Sequence, residues 1–494
     1  MNLSLSYITM VIGILSAKCL GFLREIVVAQ KFGLSQLTDI YFQIFSVANV
    51  VFAALGVALS TFVVKSINLC KDDFESEKKF VASFYKKALK WSLAGLVLLS
   101  FLGYPITKLL LQGLSSEDFG VALRLYYIMI PSFVFIVLAY TSSGILQNKG
   151  KFFRTAVMSF PFNIIIIGGL LGGIDSIYSF GVITTVGWAS QFLFLLPSVL
   201  KCGYSLNIAS KDIVTDNEKE NKRVNISEIA FIFVSNVIFS FLFITDKSFA
   251  SYKESASSSI HYASNLFTTV SSVFVVGMSA VFFPSLTKSL AQKDDEKTAS
   301  LIRYVLLFML CIFIPFLMIT SFYNKEIIRL VYERGSFDSK ATSVVSKAFF
   351  AYAFCIFGYI SQELLFKVFY AKGKYKITVI SSALVVFVNI LFNFIFKDSF
   401  NMIIYSTPVI SIIFALFIFV LLGKEIKNIY NKQFFLNVLK ILICAVPFPI
   451  FYFLMGNLAE KNKLMFVIPI VISAIIYFVM LYVFKILQLI LKKN

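Results

Sequence analysis

The residues with most chemical potential sit where charge is expensive. The first apolar stretch of this 494-residue chain carries Lys18, Arg24 and Glu25, and the second opens with Asp39. A charge inside a membrane span costs about 2.5–3.5 kcal/mol on insertion scales, so it needs a partner or a wet cavity. One or two helical turns separate Lys18 from Arg24, so both could face one cavity, with Glu25 and Asp39 balancing them. A cationic cavity suits an anionic cargo such as a phosphate or diphosphate. The competing reading is a structural ion pair near the outer interface, with snorkelling side chains. Asp246 and Lys247 lie near the outer end of the seventh apolar stretch, and Asn389 and Asn393 share one face of the eleventh at i,i+4. A carboxylate with two amide oxygens could hold a hard cation such as sodium; the alternative for the asparagines is hydrogen bonding between helices. Glu363 and Lys367, also i,i+4, can neutralise each other.

The elements that must position these residues follow from composition. The chain is 59% hydrophobic, 17% aromatic and only 14% charged, with mean hydropathy +0.85. These values exclude an ordinary soluble enzyme and a disordered chain. The apolar runs are continuous rather than alternating, which excludes a barrel. The expectation is an all-α polytopic membrane protein of about 14 transmembrane helices. They are placed near 4–30, 36–64, 88–112, 121–147, 153–174, 177–200, 228–250, 258–286, 300–322, 341–370, 375–397, 401–422, 434–455 and 464–490. The longest polar stretch, 202–226 with "KDIVTDNEKENKR", separates an N-terminal six-helix lobe (1–201) from a C-terminal one (227–423). Two extra helices occupy 424–494.

The net charge of +19 is read as basic cytoplasmic loops, not as a nucleic-acid surface. About 30 of the 45 Lys and Arg fall in alternate connections, which puts both termini in the cytoplasm. One histidine, His261, and six scattered cysteines argue against a catalytic metal site and a disulfide framework. No cleavable signal peptide is expected, so the first span stays.

The two six-helix blocks echo each other. "SGILQNKGKF" and "LFKVFYAKGKY" place K-G-K plus an aromatic at equivalent turns, 223 residues apart. "PFNIII" around Asn163 echoes "FVNILF" around Asn389, and "REIVVAQKFG" echoes "DKSFASYKES". The pattern reads as a parallel repeat that binds cargo between its halves and alternates access by rocking. There is no phosphate-binding glycine loop, so transport would draw on an ion gradient, sodium included, or the membrane potential. No nucleophile–base–orienter set is visible, so no enzyme is expected. A multidrug exporter would want acidic residues in the cavity, and a non-transport scaffold gains nothing from charges inside spans.

Several motifs together resemble one family. "GFLREIVVAQKFG…TDIYF", "YASNLFTTVSSVFVVGMSAVFFPSLTKSLA", "RLVYERGSFD" and "KVFYAKGKYK" are similar to signatures of the MurJ (MviN-type) lipid II flippases, over about residues 1–400. The resemblance implies the MOP-superfamily fold, two six-helix lobes plus two helices that form a lipid groove. It implies flipping of an undecaprenyl-diphosphate-linked glycan precursor to the outer leaflet of the bacterial cytoplasmic (inner) membrane, by a monomer whose partners are this lipid-linked oligosaccharide and membrane lipids. By match, Arg24 and Asp39 occupy cavity and gate positions, with Glu25 replacing a common Asp. Asp246, Asn389 and Asn393 match the sodium site of some members. Lys18 stands where the family usually has Arg, Asn265 where it has the Arg of "ADR", and "ANVVFAALGVALS" where it has a basic residue and Glu. These departures mark a divergent member and leave lipid II and an O-antigen or capsule repeat unit both open as cargo, with a MATE-type exporter as a further alternative.

Overall fold

A computed structural model describes residues 3–68, 70, 73–205, 226–292, 294–426, 428–455 and 464–491. Among them every regular element is a helix, and none is a strand. An apolar chain in lipid must satisfy its backbone N–H and C=O groups internally, and continuous Phe/Ile/Leu/Val runs do so as helices.

The helices are α1 (Leu3–Phe32), α2 (Gln36–Asn68), α3 (Phe74–Phe101), α4 (Gly103–Leu110), α5 (Ser116–Asn148), α6 (Phe152–Leu171), α7 (Ile177–Lys201), α8 (Ile226–Ala250) and α9 (Ala256–Ala291). They continue with α10 (Asp295–Tyr332), α11 (Ser339–Ala353), α12 (Ile356–Ala371), α13 (Tyr375–Ile395), α14 (Phe400–Glu425), α15 (Lys432–Met455), α16 (Val467–Val483) and α17 (Ile486–Leu491). Among the described residues eight are long and apolar enough to cross a membrane, or up to ten if each of two bent pairs makes one span. The bends are 66° between α3 and α4 and 43° between α11 and α12. The expected fourteen spans are not reached by this measure. By length alone α1, α8 and α9, at 30, 25 and 36 residues, also exceed a hydrocarbon core of about 30 Å.

Several boundaries differ from expectation. The third helix begins at Phe74 rather than near 88, because Asp73 accepts from the N–H groups of Glu75 and Ser76 and starts a Lys/Glu-rich turn sequence as helix. The last expected helix is broken where Lys485 takes a positive φ of 61°. The expected linker sequence "KDIVTDNEKENKR" lies outside the described residues.

The chain forms two compact units, Met1–Ser258 and Ser259–Asn494. The sequence placed the lobe boundary across 202–226; α8 instead packs within the first unit, against α2 and α4. In that unit α2, α5 and α7 enclose Val63, Ile67, Leu138, Ile145 and Leu195. Gly144 lets α5 ride close on α2, since a Cβ there would lie 2.7 Å from the Ser60 carbonyl. In the second unit α10 pairs with α11, and α13 with α14. The C-terminal pair α15–α16 packs on α10 through Leu307, Cys311, Ile441, Cys444 and Tyr477. Pro315 has no N–H to give the Cys311 carbonyl one turn earlier, and the Tyr477 hydroxyl donates to that carbonyl at 2.9 Å.

The junction before α15 is pinned. Lys372 donates to the Glu425 carbonyl at 2.7 Å and Lys374 to its carboxylate at 2.6 Å. Arg303 donates to the Asn428 carbonyl. Tyr430 stacks on Phe419 at 3.7 Å and donates to its carbonyl.

The two K-G-K turns have the same geometry. Gly150 and Gly373 have φ of +68° and +70°. The Lys151 N–H reaches back to Leu146, and that of Lys374 to Phe369, both at 2.8 Å. Both are glycine-capped helix ends with the six-to-one bond such caps use. Elsewhere Trp91, Phe101 and Phe453 are 72%, 81% and 78% exposed, an outer surface that only lipid solvates well.

Candidate functional site

The charged residues of the first two helices meet partners inside the first unit. Arg24 donates to the Glu25 carboxylate and, at 3.3 Å, to Asn163 Oδ1 on α6. The guanidinium lies beside two stacked rings, 5.4 Å from the Phe45 centroid and 5.2 Å from that of Phe162, which are themselves 6.3 Å apart. Asn163 is itself oriented by its Nδ2 donating to the Ser159 carbonyl at 3.0 Å. Arg24 and Glu25 are only 13% and 2% exposed. A planar, multiply donating cation fits this slot between carboxylate, amide and aromatic faces better than an ammonium would.

A second buried cation joins them. Lys247 on α8 donates to Ser46 Oγ at 3.4 Å, with Glu25 and Asp246 as the carboxylates that act on it. Asp246 is fully buried. Arg24, Lys247, Glu25 and Asp246 carry two charges of each sign, which is how a charged cluster survives burial. Nearby, Tyr41 bonds the Thr184 hydroxyl at 2.9 Å and stacks on Phe180 at 4.0 Å, which ties α2 to α7.

Asp39 is 1% exposed, and its Oδ1 accepts from the Ser258 N–H at 2.5 Å. It therefore caps the first turn of α9, where a carboxylate is favoured by the helix dipole. The Ser35–Thr38 capping box that starts α2 fixes the turn from which Asp39 projects.

Lys18 behaves differently. Its side chain is exposed, and no hydrogen bond or ion pair engages it among the described residues. Six residues of helix turn it about 120° from Arg24, so the two do not share a face. The structure separates the expected pair into a bonded cation, Arg24, and an exposed one, Lys18.

The remaining expected residues lie in the second unit. Asn265 stays local to α9, accepting from the Thr269 hydroxyl at 3.3 Å. Asn389 donates to Ser406 Oγ at 2.9 Å and Thr407 Oγ1 at 3.1 Å on α14, and accepts from Asn393 at 3.2 Å. The two bonds to α14 run between helices, and the Asn393–Asn389 bond lies within α13. Among the described residues no group of three or more His, Cys, Asp or Glu side chains is placed to hold a metal ion, which leaves a site built from asparagine amides open.

Sequence reasoning missed Ser46 and Ser258 entirely, and took Asn163 only as a mark of the repeat. Nothing in a serine's sequence neighbourhood reveals a partner some 200 residues away.

The sequence profile of the lipid II flippase MurJ matches residues 28–475. This chain belongs to the MurJ family. Among its relatives, the lipid II flippase MurJ of Burkholderia cenocepacia is 25% identical over 405 residues, covering 80% of this chain and 78% of that protein. The probable lipid II flippase MurJ of Aquifex aeolicus is 24% identical over 485 residues, covering 96% and 93%. A solved structure of a lipid II flippase MurJ in an inward closed conformation superposes with TM-score 0.79 at 23% identity, over 97% of this chain and 99% of that one. An inward-facing MATE-family transporter of the MOP superfamily superposes with TM-score 0.64 at 14% identity, over 85% and 98%. The MurJ fold is thus shared nearly end to end, and the MATE likeness is one of fold alone.

Proposed function

We propose that this MurJ-family protein carries lipid II, an undecaprenyl-diphosphate-linked peptidoglycan precursor, from the inner to the outer leaflet of the bacterial cytoplasmic membrane by alternating access. It works as a monomer with both termini in the cytoplasm. The observation that carries the reading is the family match over residues 28–475. The charge distribution adds to it. Lys18 is an exposed cation with no bonded partner, available to a diphosphate. Arg24 is already engaged on every side, so it positions α1 against α2 and α6 instead of gripping cargo. With no nucleotide-binding loop in the sequence, the driving force is an ion gradient or the membrane potential.

The test is complementation in cells depleted of their own lipid II flippase. The wild-type chain should restore growth and outer-leaflet lipid II. Lys18→Ala should be folded and inserted yet at least tenfold slower in translocation. Failure of the well-expressed wild type, with rescue instead of a strain lacking its O-antigen or capsule-unit flippase, would move the cargo to that class. Wild-type rates by Lys18→Ala would remove Lys18 from cargo binding. Replacing external sodium and, separately, collapsing the potential distinguishes the two drives.

A further inference from the structure

A second group of cations lies wholly within the second unit. The end of α10 and the start of α11 flank an open hollow of about 440 Å³ lined by Lys325, Arg329, Glu333, Ser339, Lys340, Ser343 and Val344. Lys325 and Arg329 are i,i+4 on α10, so they lie one above the other on one face, and like charges so placed repel. Lys340 faces them from α11. The one lining acid is engaged: Glu333 accepts from the Thr342 hydroxyl at 2.7 Å and pairs with Arg329 at 3.6 Å. Asp338 is also occupied, capping α11 through the Ala341 N–H at 2.7 Å. Arg334 turns away, donating to the Leu330 and Val331 carbonyls of its own helix. Neither Lys325 nor Lys340 has an ion pair among the described residues. Three cations therefore converge on one hollow against a single, shared carboxylate.

Lys325 and Lys340 are exposed, so water screens their repulsion when the hollow is empty, and the three cations together attract an anion. The two serine hydroxyls and the start of a 15-residue helix add neutral donors. The volume lies in the range of small-molecule sites and is generous for a diphosphate or a phosphodiester head group. The geometry points to a phosphate-binding site between α10 and α11, separate from the Arg24–Glu25–Lys247 cluster. Its ligand is a phosphate ester or diphosphate, either free or as a lipid head group. On the proposed orientation the site opens on the outer side of the membrane, where cargo arrives.

The test uses the purified full chain. Inorganic diphosphate is titrated calorimetrically in neutral detergent, and retained phosphatidylglycerol is compared with phosphatidylcholine by native mass spectrometry. The variants are Lys325→Ala/Lys340→Ala and, as a control for general charge, Lys87→Ala/Lys90→Ala on the first unit. The pocket variant should bind diphosphate at least tenfold more weakly or lose its preference for phosphatidylglycerol, with the control unchanged. Loss in the first arm alone marks free phosphate, and loss in the second marks a lipid head group. A wild type that binds neither probe, or equal loss in both variants, overturns the site. The readout is binding and not translocation, so failure here leaves the flippase reading intact, and failed complementation leaves this site intact.

Discussion

The buried charges around Arg24 are the place where the structural reasoning can be tried hardest. Arg24→Met roughly keeps the volume but removes the cation bonded to Glu25, which is 2% exposed, while Lys247 still acts on that carboxylate. Breaking a buried pair by removing one partner costs about 3–5 kcal/mol, and the two ring contacts add about 0.5–1 kcal/mol each. Lys247 offsets part of this, so the expected loss is about 3 kcal/mol, a shift of more than a hundredfold in the folded-to-unfolded ratio. Glu25→Gln leaves two cations against Asp246 alone and should cost about as much. The double variant restores a balanced Lys247–Asp246 pair, so it should cost less than the sum by about 2 kcal/mol. The protein contains its own reporter: Trp188 packs 4.8 Å from Phe162, the ring that touches Arg24. The only other tryptophan, Trp91, is exposed and can be replaced by Phe. Equilibrium unfolding in mixed micelles, followed by Trp188 fluorescence, then reads the cycle at the site itself. Single variants within about 0.5 kcal/mol of the parent, or strict additivity in the double, would refute the account of Arg24 as a structural cation.

Other outcomes follow from single contacts. Gly150→Ala and Gly373→Ala should each cost about 1 kcal/mol and by the same amount, because both have positive φ and no atom within 4 Å of an added Cβ; unequal losses would show that the turns are not equivalent. Asn389→Ala should lower stability by about 1 kcal/mol through Ser406 and Thr407, with translocation of the folded fraction retained; lost translocation at unchanged stability would restore a ligand role. Tyr477→Phe leaves the Cys311 carbonyl unmatched beside Pro315 and should cost about 1–3 kcal/mol, whereas the same change at exposed Tyr482 should cost nothing measurable. Burial, then the carboxylates of Glu77 and Asp73, push the Cys70 thiol up. In a variant with Cys70 as its only cysteine, maleimide labelling should therefore be slow at neutral pH and reach half its maximal rate above the ordinary thiol value of about 8.5; a half-maximal rate at or below that pH would contradict this.

Much of the architecture was legible because membrane insertion leaves a coarse, long-range signature. Apolar runs of 20 or more residues have one solution in lipid, and the K-G-K turns carried the glycine that their left-handed backbone requires. Helix ends were less legible: Asp73 extends α3 through charged residues that hydropathy alone reads as loop. The site was half legible. Charges at Lys18, Arg24 and Glu25 announced themselves by their cost, but their fates diverged through details of angular position and distant partners. Asn163 and Lys247 reach Arg24 and Glu25 across more than a hundred residues, and the serines that complete the network are among the least informative letters in an apolar sequence. The hollow between α10 and α11 was hidden because its cations, Lys325, Arg329 and Lys340, come together only once the turn between those helices forms.

The fastening at Glu425, Asn428 and Tyr430 also bears on how the molecule works. A hinge needs backbone free to swivel, and here the carbonyls on either side of the junction are held by Lys372 and Arg303, with an aromatic stack beside them. The final helices are coupled to their unit like a rudder bolted to its post. Any hydrocarbon tail lying along their bare outer flanks, where Phe435, Leu439 and Phe453 stand uncovered, would be towed with that unit through each stroke.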